Sequence, residues 1–331
     1  MQELVKMSYI EAERKVLEEE LREDKNFIIM GEGVNDPGGE FGVTNDLYKE
    51  FGEQRIIDTP LAETGMAGVA IGAALAGSKV IYMHNRCDFL LLSFDQIINH
   101  AAKLRYMSGG QVSIPVIFWA VTGQGWGTAA QHSQNIHGML MTVPGIKIIM
   151  PSSVYDARGL LKTALHDGNP ILFLEHRDVM RKEEEIPDEQ YTIPIGKGEV
   201  KRPGQDVTII AISNMVTESL KAAEKLQSDS IDCEVIDLRT IKPYDEELIL
   251  KSVQKTGRVV IADTGWYTGG VAKEIADCIY HNCLKSLQSP IEIVALPDVP
   301  TPASYKLEEV YYKTSVDIEL AVRKVLNDAQ E

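Results

Sequence analysis

The chain has 331 residues, 44% hydrophobic and 25% charged, with a net charge of −16 at pH 7. That length exceeds one typical domain and predicts two, because single cores stop growing at roughly 250–300 residues. The acidic balance argues against a protein that tracks nucleic-acid phosphates or is drawn to anionic lipid. Four cysteines (Cys87, Cys233, Cys278, Cys283) fit a reducing compartment better than a disulfide framework.

The N-terminal stretch MQELVKMSYIEAERKVLEEELREDKN has neither the apolar core of a signal peptide nor the Arg-rich, acid-poor character of a transit peptide, so a cytoplasmic location is expected. Ser8 followed by Glu11 is a capping-box signature and predicts a helix to about Arg22. FIIMGE then reads as a strand and RIID as another, with a helix from Glu63 to Ala76. KVIYM is a strand and Phe89 to Tyr106 a helix. PVIFWAV and IKIIM are strands, Val154 to His166 a helix, and PILFLE a strand. The apolar run from Met66 to Leu75 is too short to span a bilayer, and no membrane partner is expected. Strands separated by helices of this length predict a parallel sheet covered on both faces.

From His176 to Asp206 the chain is charged and punctuated by Pro and Gly, the texture of a domain connection. This places a first domain at 1–180, a linker at 181–205 and a second domain at 206–331. In the second, VTIIAI, DCEVIDL, RVVIAD and IEIVAL read as strands. Helices are expected over Thr217–Leu226, Glu246–Val253 and Gly270–Leu284. The expected fold class is α/β, with two domains that are each a mainly parallel sheet flanked by helices.

Some residues invite a chemical reading. Glu63 heads a run of small and apolar residues, DTPLAETGMAGVAIGAALAG. A carboxylate in a first helical turn is favoured by the macrodipole by about 0.3–1 kcal/mol, which is one account of it. Cys278, His281 and Cys283 raise the question of zinc, but they lie on an amphipathic helix with no fourth ligand near in sequence. His132 follows the glycine-rich TGQGWGTAAQ, a poor core segment and a good functional loop.

Taken in order, GEGVNDPGGEFGVT, DTPLAETG, FDQIINHAAKLRYMSGGQ, AAQHSQN, VPGIKIIMPSSVYDARGLLKTALHDGNPILFLEH and IDLRTIKPYDEELILKSVQKTGRVVIAD carry a resemblance over about residues 5–327. The chain resembles the beta subunit of the thiamine-diphosphate-dependent decarboxylating component of 2-oxoacid dehydrogenase complexes, the group of the pyruvate, branched-chain and acetoin enzymes. The resemblance implies an N-terminal pyrimidine-binding domain and a C-terminal transketolase-like domain. It implies that Glu63 faces N1′ of the cofactor's aminopyrimidine and shares a proton there, which promotes loss of the thiazolium C2 proton. Such chemistry needs a carboxylate in a dry place, and a helix of Gly65, Ala67, Gly68, Ala70, Gly72 and Ala73 allows close approach. Phe89 matches the aromatic that stacks on the aminopyrimidine, and His132 the active-site histidine near the reacting carbon.

The stretch TALHDGNP resembles a loop whose carbonyls hold potassium in some members. By position that set is Ala164, Leu165, Asp167 and Asn169, with Val116 from the neighbouring strand. Asp-Gly-Asn-Pro also makes an ordinary helix-ending turn. No G-D-G motif for the Mg²⁺-diphosphate occurs anywhere in the chain. The resemblance therefore implies that Mg²⁺ and the diphosphate are held by an alpha subunit, most simply in an α2β2 assembly. The acyl group would pass to a lipoyl acyltransferase. The alternatives are a split carboligase or transketolase-like enzyme using a carbonyl or sugar-like acceptor, and a silent paralogue, against which the retention of Glu63, Phe89 and His132 weighs.

The chain departs from the family pattern at three places. HNRCDF sets Arg86 and Asp88 before Phe89, His137 stands where an acid is common, and ADTGWYTGG replaces a more usual His-Glu pair. Arg86 and His137 are thus candidate substrate contacts. Asp88 is the nearest counter-charge to Arg86, on its own side if the segment is extended.

Overall fold

The computed structural model describes residues 3–39, 41–124 and 127–327. The chain opens with β1 (Leu4–Ser8) and α1 (Tyr9–Glu23), whose capping box is formed by Ser8 and Glu11 as the sequence predicts. There follow β2 (Phe27–Gly31), α2 (Leu47–Phe51), β3 (Ile56–Asp58), α3 (Glu63–Leu75) and β4 (Lys79–His84). The segment expected as one helix from Phe89 is wound in four pieces: α4 (Cys87–Leu90), a 3₁₀ turn Leu91–Ser93, a π-helical turn Gln96–Ala101, and α5 (Ala102–Met107). Next come β5 (Val116–Thr122), α6 (His137–Met141), β6 (Lys147–Ile149), α7 (Val154–Asp167), β7 (Ile171–His176) and β8 (Glu183–Pro187). The remainder is β9 (Glu199–Arg202), β10 (Val207–Ala211), α8 (Asn214–Gln227), β11 (Cys233–Asp237), β12 (Thr240–Lys242), α9 (Glu246–Thr256), β13 (Val259–Trp266), α10 (Val271–Cys283), β14 (Glu292–Leu296), α11 (Tyr305–Tyr311) and α12 (Ser315–Asn327).

Two compact units result: Met1–Thr122 with Thr142–Ile195, and Gly123–Met141 with Gly196–Glu331. In the first, parallel strands run in the order β6-β7-β5-β4-β2-β3. β5 and β7 are buried along their whole length, as continuous apolar runs in a doubly covered sheet should be. The core gathers Trp119, Phe27, Phe173 and Ile29 against Val16, Leu17 and Leu21 of α1 and Leu160 and Leu161 of α7. β1 and β8 add an antiparallel ribbon whose short, charged sequences give little strand signal. In the second unit the sheet order is β14-β13-β10-β11-β9, parallel except for β9. Its core packs Ile209, Val235 and Val260 against α8 and α12. Among the described residues no helix is long and apolar enough to cross a membrane.

Candidate active site

In the first unit, β2 is followed by β3 on one side and, after α3, by β4 on the other. Parallel α/β sheets bind ligands outside the carboxyl ends of strands at such a reversal. A recess opens there, lined by Glu32, Glu63, Tyr82, Met83, His84, Asn85 and Phe89. Two parallel pairings bring these residues together: β2 lies between β3 and β4, and Glu32 directly follows β2.

Glu63 is the first residue of α3, and Ala62 before it makes no side-chain cap. The amide N–H groups of a first helical turn have no partner within the helix, so an anionic side chain is well placed there. Glu63 is nevertheless only 9% exposed. Its backbone carbonyl accepts a hydrogen bond from Ser93 Oγ at 3.2 Å, and Ser93 Oγ lies 2.9 Å from His84 Nε2. Burial drives His84 down to about 3, so its imidazole is neutral at physiological pH. Phe89, on α4, is half-buried and shares the recess with Glu63.

Glu32 is a site residue that sequence reasoning missed. Burial, then the negative charges of Glu63 and Asp58, push it above the ordinary carboxylate range. The available signal was an acid between two glycines directly after an apolar strand. Burial and the charges of Glu63 and Glu32 likewise raise the Tyr82 phenol.

Arg86 departs from expectation. It is 6% exposed and caps α4 in an extended conformation, with Asp88 inside the helix, so the two are not neighbours along a strand. Their side chains still approach, Nε to Oδ2, at 3.9 Å. Arg86 is not among the residues lining the recess. It bears on Arg177, beyond the end of β7, whose guanidinium stands 5.7 Å from the Phe41 ring. Burial, then the charge of Arg86, draws Arg177 down to about 10.

His132 and His137 belong to the second unit. His132 is exposed; its N–H donates to Ala129 O at 3.3 Å, and its carbonyl accepts from Thr128 Oγ1 at 3.4 Å. Gly125 and Trp126 of the glycine-rich approach, and Glu40 of the first motif, lie outside the described residues. His137 is 1% exposed, and its Nε2 lies 2.9 Å from Asp263 Oδ1. Burial alone would raise Asp263, but the His137 interaction and the N–H groups of Gly265 and Ala272 hold it below the usual carboxylate range.

Ala164, Leu165, Asp167 and Asn169 gather at the C-terminal end of α7, where Gly168 caps the helix in the left-handed conformation, and Val116 begins β5. The Asn169 amide donates to Asp167 Oδ1 at 2.8 Å, and Ser113 donates to the Gly168 carbonyl. Cys283 turns into the core of its unit while His281 is exposed, so this trio does not converge. Among the described residues no group of three His, Cys, Asp or Glu side chains is placed to hold a metal ion.

Residues 5–182 match the transketolase pyrimidine binding domain and residues 196–318 the transketolase C-terminal domain. The chain is 43% identical over 315 residues to the pyruvate dehydrogenase E1 component subunit beta of Rickettsia felis, covering 95% of this chain and 97% of that one. It is 41% identical over 321 residues to the 2-oxoisovalerate dehydrogenase subunit beta of Bacillus subtilis, covering 96% and 98%. The chain belongs to the 2-oxoacid dehydrogenase E1 beta-subunit family. A solved chain described as a split gene transketolase, inactive beta4 tetramer, matches at a TM-score of 0.78 and 24% identity, over 98% of this chain and 99% of that chain, which shows the shared α/β fold. The recess lies within residues 5–182, the part that matches the pyrimidine binding domain. Its residues suit an aminopyrimidine: one sheltered carboxylate at a helix start, an aromatic face beside it, and a second carboxyl inclined to keep its proton.

Proposed function

We propose that this chain is the beta subunit of a thiamine-diphosphate-dependent 2-oxoacid dehydrogenase component, active with an alpha subunit. The observation that carries the reading is Glu63, a nearly buried carboxylate heading α3 and sharing a recess with Phe89 at the ends of β2 and β4. When bound, thiamine diphosphate supplies the electron sink for decarboxylation. Glu63 holds a proton at N1′ of the pyrimidine, Phe89 packs against the ring and excludes water, and Glu32 lines the same recess beside Glu63. The neutral His84, through Ser93, holds the first turn of α3 in place. His132 moves a proton at, or orients, the substrate carboxylate. The named relatives are dehydrogenase subunits, which favours acyl transfer to a lipoyl acyltransferase over a carboligase reaction.

Mg²⁺ and the diphosphate fall to the alpha subunit in an α2β2 assembly, because this chain has no G-D-G motif. Potassium at Val116, Ala164, Leu165, Asp167 and Asn169 is supported by the C-terminal end of α7, whose last carbonyls lack intrahelical donors, with Asp167 O accepting from the Asn169 amide at 3.2 Å.

The test is calorimetric titration of thiamine diphosphate with Mg²⁺ into the chain alone and into its complex with the alpha subunit. Tight binding is expected in the complex, and weak binding by the chain alone. Micromolar Mg²⁺-dependent binding by the isolated chain would overturn the divided site. Screening the complex against 2-oxoacids then identifies the substrate.

A further inference from the structure

The loop that carries His132 is held by its own backbone at one end. Gly123 N–H donates to Gln134 O at 3.3 Å, Thr128 Oγ1 and Ser133 Oγ lie 3.0 Å apart, and Ala129 takes a left-handed conformation at φ 60°. At the other end it runs directly into α6, a helix of five residues. Such a helix does not stand by its own hydrogen bonds, so its position is set by what it packs on.

α6 packs on the end of β13 and the turn after it. Ile136 and Leu140 are fully buried. At Gly138 a Cβ would fall 2.9 Å from Gly269 O, and at Gly265 it would fall 2.9 Å from His137 Cε1, so both glycines are needed for the approach. A polar tie joins them, His137 to Asp263. The Asp263 carboxylate is itself immobilised, accepting from Gly265 N–H at 2.8 Å and from Ala272 N–H at 3.2 Å. With Nε2 donating to Asp263, Nδ1 of His137 has no hydrogen-bond partner and is sealed from solvent. A fully buried imidazole tied to an immobilised carboxylate is well explained as a strut. The same two segments wall a cleft of about 370 Å³, with Ala130 and Gln134 from the His132 loop on one side and Trp266, Thr268 and Asp298 among the residues on the other.

We propose that His137 is a positioning residue: through its hydrogen bond to Asp263 it fixes the loop that presents His132 and Gln134. This rests on the role given to His132 above, so His132→Ala is the reference in the test. His137→Gln keeps an amide donor near the position of Nε2, whereas His137→Leu removes it. His137→Asn keeps polarity but falls short of Asp263, and serves if the leucine variant does not fold.

The enzyme reconstituted with the alpha subunit is assayed for turnover and for cofactor C2–H exchange, and amide hydrogen exchange is measured over residues 127–136. A small misplacement of a catalytic group costs roughly tenfold to a hundredfold in rate. The expectation for His137→Leu and His137→Asn is a fall in kcat of that order, with little change in KM or in C2–H exchange, and faster amide exchange in the loop. His137→Gln should recover most of the loss. Wild-type kcat and loop protection in both leucine and asparagine variants would overturn the proposal, as would a glutamine variant no better than leucine. If His132→Ala itself turns over normally, the role of His132 fails, while the loop-exchange readout still decides whether His137 fixes the segment.

Discussion

The hydroxyl of Ser93 donates to the main-chain carbonyl of Glu63 at 3.2 Å, and this leaves its oxygen free to accept from His84 Nε2 at 2.9 Å. Ser93 is fully buried, so its loss leaves the imidazole N–H unsatisfied away from water. Ser93→Ala should therefore destabilise the fold by about 1–3 kcal/mol and slow cofactor C2–H exchange by loosening the first turn of α3. Thermal melting and exchange of the reconstituted enzyme measure both. Unchanged values would reduce the chain His84–Ser93–Glu63 to incidental packing.

Glu63→Gln preserves the shape of the recess but removes the carboxyl proposed to share a proton with N1′. Assembly should be intact and C2–H exchange should fall by orders of magnitude, read by NMR of the bound cofactor. Exchange near the wild-type rate would return Glu63 to a helix-start acid.

Glu13 and Glu175 are both fully buried in the first unit, with Tyr9 Oη donating to Glu175 at 3.0 Å. Burial, and the charge of Glu175, push Glu13 well above the carboxylate range, and burial pushes Glu175 up to about 7. The native state thus binds protons that the unfolded chain releases near pH 4.5. The stability these groups contribute is full below that pH and is lost as pH rises towards 7 and beyond. The melting midpoint of Glu13→Gln/Glu175→Gln should consequently fall less than the wild-type midpoint between pH 5 and 8. Parallel curves would mean that the pair does not titrate there.

Ser213, between β10 and α8, is fully buried at φ 53°, ψ −123°, a conformation that costs an L-residue about 1–3 kcal/mol and glycine far less. Ser213→Gly should stabilise the second unit by about 1 kcal/mol, or roughly 2–4 °C in melting midpoint. A lower midpoint would show that the serine hydroxyl outweighs the strain.

Potassium at the end of α7 should raise the melting midpoint relative to sodium at equal ionic strength, because a ligand of the native state alone stabilises by mass action. Equal midpoints would leave Asp167–Asn169 as a helix-ending turn.

The sequence determined what depends on near neighbours. The capping box of Ser8 and Glu11 is complete within four residues, so α1 was legible. Apolar runs such as VIFWAVT and ILFLEH marked buried parallel strands, and with them the α/β class. The position of Glu63 at the head of an apolar helix was also written locally.

What those elements face was decided by tertiary structure. The winding of residues 87–107 follows distant contacts, such as Ser93 on Glu63 and Gln96 beside Gly68, and helical periodicity alone does not separate α, 3₁₀ and π turns. Glu32 joined Glu63 only because β2 pairs with β3 and β4, and strand order is a long-range property. Arg86, legible as an unusual charge, is buried at the start of α4, where its charge bears on Arg177 from beyond the end of β7. His137 and Asp263 lie 126 residues apart and meet in a single hydrogen bond. Local pattern states that each is unusual, but only the folded chain, by burying both, makes them partners.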